Sequence, residues 1–161
     1  RIFSFLLLVS AVSGQQQTGG KNVSLFSKLS VGSGINLTPQ AGLLLAAVTM
    51  VAIDGDADED EMAIINRLNS GGERADWDAA FKTWKGNDAQ NCVRLSAAAM
   101  NPDQQLVAMA NLIDIAMADG VLGDSEKALL EAFVATFDVS EGDVQAIVDV
   151  IAIKNNKSAF V

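Results

Sequence analysis

The chain has no histidine, no tyrosine and a single cysteine, Cys92. Without histidine there is no Ser-His-Asp or Cys-His catalytic set. His or Cys zinc sites and internal disulfides are excluded as well. No acid precedes Pro39, where only the bases Arg1, Lys21 and Lys28 stand; the rest of the chain carries the other eight bases and all 20 acids, a net −12. A surface that acidic repels phosphate backbones and anionic lipid headgroups, which argues against a nucleic-acid partner. Charged residues make up 19% and apolar residues 50% of the 161, a balance that excludes wholesale disorder and supplies one sizeable core. Long apolar runs are also lacking. Ile2–Val12 is eleven residues, about half of the ~20 that span a bilayer as a helix.

Composition divides the chain into three zones. Residues 1–14 carry the apolar strip behind Arg1. It matches the h-region of a targeting leader, with Ala11-Val12-Ser13 as a small-x-small cleavage signal before Gly14. Retained, the same strip is an anchoring or docking segment that needs lipid or a partner's groove to cover it. Residues 15–38 are rich in Gln, Gly and Ser and read as an extended linker with a short apolar patch. Ile2, Phe3, Phe5, Leu6, Leu7 and Leu8, with Leu25 and Phe26 of the linker, are the candidate partner-binding residues. Residues 39–161 form a helical domain. Either reading of the strip implies a membrane-associated protein, or one exported or organellar after processing. Asn22-Val-Ser24, Asn36-Leu-Thr38 and Asn156-Lys-Ser158 fit the glycosylation triplet, which has meaning only in a eukaryotic secretory setting.

From Pro39 the pattern is helical throughout, and the fold class is all-α. Thr38-Pro39 is an N-cap followed by proline at the first helical position, and the apolar run predicts a helix to Ile53. Asp58 with Glu61 opens a second helix toward Leu68, ended by Gly71-Gly72. The remaining helices are expected over Arg74–Lys85, Asp88–Met100, Pro102–Ala118, Asp124–Phe137 and Ser140–Ile153. Trp77, Phe81 and Trp84 make one stripe on the third, which reads as core packing. The five methionines, Met50, Met62, Met100, Met109 and Met117, read as core filler, and Cys92 as a buried small hydrophobe.

Sliding the sequence along itself until Asp54 meets Asp119 aligns two helix–loop–helix units. Ile53-Asp54-Gly55 falls on Ala118-Asp119-Gly120, Glu61 on Glu126, Ile64-Ile65 on Leu129-Leu130, and Leu68 on Phe133. Two such units would pack face to face about a pseudo-twofold. Through the segments AAVTMVAIDGDADEDEM, LIDIAMADGVLGDSEKALLEAF and FDVSEGDVQAIV, residues 39–154 resemble the tellurite-resistance TerB-like family, which includes the N-terminal domain of the DjlA membrane co-chaperones. That resemblance implies a compact bundle of about seven helices, acids of both units clustered near each other, a divalent cation on that cluster, and a binding or scaffold role without catalysis. Gly123 stands where the first unit has Asp58, a departure from equivalence of the two halves.

Six of the eight residues from Asp54 to Glu61 are acidic and none is basic. Asp54 and Asp119, placed at helix C-termini, would face the negative pole of the dipole at a cost of roughly 0.3–1 kcal/mol each unless compensated. Oxygen-only donors suit Ca²⁺ or Mg²⁺ over a transition metal. The candidate ligands or their orienters are Asp54, Glu61, Asp119 and Glu126, with Asp56 and Asp58 secondary. Capping and solvated charge account for the same acids without any ion. The first loop is not an EF-hand, because position 6 is Glu59 instead of Gly and position 12 is Ile65 instead of Glu. No nucleophile–base pair or phosphate-cradling loop appears, so neither an enzyme nor a small-molecule substrate is indicated. The expected function is a non-enzymatic interaction module with protein partners. The alternative is an accessory subunit docked by its N-terminal extension onto a larger membrane-associated complex, such as a respiratory or photosynthetic one, with no metal role.

Overall fold

The computed structural model describes residues 36–53, 55, 59–118 and 122–160. They form seven α-helices: α1 (Pro39–Val51), α2 (Glu59–Asn69), α3 (Arg74–Lys85), α4 (Ala89–Ala99), α5 (Pro102–Ala116), α6 (Asp124–Thr136) and α7 (Glu141–Lys154). A 3-10 turn, Lys157–Phe160, follows α7. No strand occurs among the described residues, and no described helix is long and apolar enough to cross a membrane.

The helix starts follow from local chemistry. Thr38 Oγ1 accepts the Ala41 N–H at 3.0 Å and donates to Asp76 Oδ1 at 2.5 Å, tying the start of α1 to α3. At α5 the Asn101 side chain accepts the Gln104 N–H while Gln104 Oε1 accepts the Asn101 N–H, both at 2.9 Å, a reciprocal capping box ahead of Pro102. Asp88 and Ser140 cap α4 and α7, accepting the Asn91 and Asp143 N–H groups.

Two helices stop two residues short of the sequence expectation. The first ends at Val51, not Ile53, and the fifth at Ala116, not Ala118. The apolar pattern runs on because Ile53, Met117 and Ala118 continue to pack on the core through the turn. Apolarity there reports burial, not helicity. Gly55 closes the first turn at φ +83°, a left-handed conformation that glycine adopts without cost.

Ten of the thirteen residues of α1 are buried, so it is the central rod, with α2 through α6 packed around it. The packing is reciprocal between the two units. α2 lies on α1 as α6 lies on α5, α3 lies on α1 as α7 lies on α5, and α2 touches α5 as α6 touches α1. One core cluster joins both units through Met50, Ile64, Met109, Leu112, Leu130 and Phe133.

The aromatic stripe is packing. Trp77 and Trp84 sit against the core, and Phe81 stacks between them with centroids 6.1 and 5.5 Å away. Four methionines lie in or against the core, but Met62 is 38% exposed. Ile64 sets the buried face of α2, and Met62 is two residues back, roughly 200° around the helix. Cys92 is a free thiol, fully buried. Burial pushes its pKa up, a hydrogen bond with Thr49 lowers it, and the Asp88 charge raises it further.

Candidate metal centre

Among the candidate ligands, Asp54, Asp56, Asp58 and Asp119 lie outside the described residues, as do Ile2, Phe3, Phe5, Leu6, Leu7, Leu8, Leu25 and Phe26. Glu61 and Glu126 are described. Each is the third residue of its helix, α2 or α6, so the internal repeat holds at this position in three dimensions. Among the described residues no three His, Cys, Asp or Glu gather into a metal-holding group, which leaves these two glutamates as the described part of the site.

Glu126 is buried, at 8% exposure. Its Oε2 accepts the Gly123 N–H at 2.6 Å, satisfying the amide at the mouth of α6. Gly123 has no side chain with which to cap, so the glutamate alone supplies the cap that Asn101 and Gln104 share at α5. Asp124 and Glu126 in the first turn also face the positive end of the helix dipole. Glu61 is half-buried in the equivalent place. Carboxylate oxygens of this kind fit a hard cation such as Ca²⁺ or Mg²⁺.

A second cluster carries no motif in the sequence. Asp114, 6% exposed in α5, takes Lys154 Nζ on Oδ1 at 2.5 Å and Arg67 Nη2 on Oδ2 at 3.3 Å. One carboxylate therefore ties the ends of α2 and α7 to α5. Both cations keep much of their surface in water, so the aspartate is compensated while they remain solvated. A signal for it exists, since Asp114 is the only charge between Asp103 and Asp119. Gln105 is buried as well. Its Nε2 donates to the carbonyls of Ala97 and Met100, and its Oε1 accepts the Asp138 N–H, pinning α4, α5 and the α6–α7 turn together.

Comparison with known proteins finds one family over most of the helical region. The family model described as "Tellurite resistance protein TerB" matches residues 48–149, from the C-terminal part of α1 through most of α7. No curated protein and no solved structure gives a match. The matched stretch takes in both Asp-Gly loops, the last turn of α1 and the helices from α2 through most of α7, and the chain belongs to the TerB family.

Proposed function

We propose that the protein is a non-enzymatic TerB-type interaction module whose two Asp-Gly…Glu loops hold a hard divalent cation. Asp54, Glu61, Asp119 and Glu126 would supply the ligands or orient them, with Asp56 and Asp58 as further oxygen donors. The observation that carries the reading is the matched placement of Glu61 and Glu126 at the third position of equivalent helices, each following a loop with the same Asp-Gly pair. Six acids in the eight residues from Asp54 to Glu61 concentrate negative charge that a divalent ion offsets. The bound ion would fix two acidic loops into a charged docking surface, and the partner would be a protein.

The test is migration of the native protein on non-denaturing gels, with and without a chelator. The reading expects the chain in a larger assembly that EDTA dissociates. Migration as a free single chain under both conditions overturns it.

A further inference from the structure

Of the three Asn-x-Ser/Thr triplets, those at Asn36 and Asn156 fall among the described residues, and the fold treats them differently. Asn36-Leu37-Thr38 is tied down. Leu37 packs on the cluster of Leu44, Leu45, Ala80 and Cys92. The Thr38 hydroxyl is committed to the Ala41 N–H and to Asp76, and Pro39 fixes the backbone directly behind it. Asn156-Lys-Ser158 instead starts beyond Asn155, the C-cap of α7, and runs into the 3-10 turn. Asn156 and Ser158 are both exposed.

The backbone of Asn156 is satisfied, its N–H donating to the Ile153 carbonyl at 3.2 Å and its carbonyl accepting the Ala159 N–H at 3.4 Å. Its side-chain Oδ1 accepts the Ser158 hydroxyl at 2.6 Å, so the first and third residues of the triplet already meet. Among the described residues no group accepts from Asn156 Nδ2, which leaves that nitrogen to solvent. A second observation lies beside it. Val150 and Ile153, on one face of α7, are 63% and 77% exposed, more than any other large apolar side chain among the described residues. Asn156 stands one turn beyond Ile153. A bulky, solubilising group there would screen this apolar pair from other chains.

We propose that Asn156 is a glycan acceptor, modified by oligosaccharyl transfer from a lipid-linked pyrophosphate donor. The new bond joins Nδ2 to C1 of the first sugar as the bond from C1 to the pyrophosphate oxygen breaks. Nδ2 gives up one proton, the lipid pyrophosphate leaves, and nothing is oxidised or reduced. Transfer of this kind takes place in a secretory lumen, to which the apolar strip behind Arg1, read as a leader with its Ala11-Val12-Ser13 signal, directs a chain. This inference does not rest on the cation reading.

The native protein tests it. Peptide N-glycosidase should produce a discrete drop in apparent mass, and mass spectrometry should find Asn156 converted to aspartate. Translation of the full chain into microsomes, behind an added secretory leader, separates the triplets. Asn156→Gln and Ser158→Ala should each carry one glycan fewer than the parent, while Ser158→Thr and Asn36→Gln should lose none. The Asn156 and Ser158 side chains bond only each other among the described residues, so these substitutions leave the helices in place. An unconverted Asn156 in the native protein overturns the proposal. So does a glycan count that Asn156→Gln leaves unchanged, which would place any sugar on Asn22 or Asn36.

Discussion

Asp114 shows how one buried charge is made tolerable. Its two partners come from different helices and stay largely in water, so the ion triad costs less than burial of all three groups would. The two ways of breaking it should therefore differ. Asp114→Asn leaves two solvated cations and should cost about 1–2 kcal/mol in urea unfolding. Arg67→Met with Lys154→Met strands the carboxylate and should cost more, about 3 kcal/mol. Equal losses would mean the carboxylate is not held as described. Cys92 gives a second residue-scale expectation. Its pKa is raised above the ordinary 9.0, so the folded state holds the thiol proton more tightly than the unfolded one. The stability from this group is complete below pH 9 and is lost as pH climbs from 9 toward the folded value. Comparing the wild type with Cys92→Ala from pH 8 to 10 isolates that slope, and iodoacetamide should label the native thiol only on unfolding. Cys92 reads as buried from the sequence because nothing near it activates a thiol. Asp114 escapes such a reading because one acid in an apolar run looks like a solvated interruption until its partners, 47 and 40 residues away, are known.

At the scale of the element, local chemistry carries most of the information. Thr38-Pro39, Asp88, Asn101-Pro102 and Ser140 act within one turn of chain, so the starts of α1, α4, α5 and α7 are legible in the sequence to within a residue. Helix ends are less so, because Ile53 and Ala118 are apolar for reasons of tertiary packing. Asn101→Ala removes one arm of the box and should lower stability by about 1 kcal/mol. Gly42→Ala would force Ala99 and the α4 backbone outward, at a cost of about 1–3 kcal/mol, whereas helix propensity alone predicts a gain. A neutral result in denaturant titration would show that α4 sits further from α1 than the 2.7 Å contact requires.

For the whole molecule, the internal repeat is legible because core positions recur in register: Met50 with Ile115, Ile65 with Leu130, Leu68 with Phe133. The close seating of α4 on α1 is not legible, since nothing in the sequence marks Gly42 as the residue beneath Ala99. The acidic loops are the reverse case. Their composition stands out at once, yet acids without apolar periodicity carry no pattern that says which oxygens converge. Glu61 and Glu126 take their place from the helices that carry them, each at the third position of its helix. The measurement that bears most directly on the proposed function is calorimetric titration of the full chain with Ca²⁺ and with Mg²⁺, beside Glu61→Gln with Glu126→Gln. Saturable heat is expected for at least one ion in the parent, and its loss in the double variant with an unchanged helical circular-dichroism spectrum. No heat up to millimolar concentrations of either ion, or identical titrations for parent and variant, would contradict a cation held between the two loops.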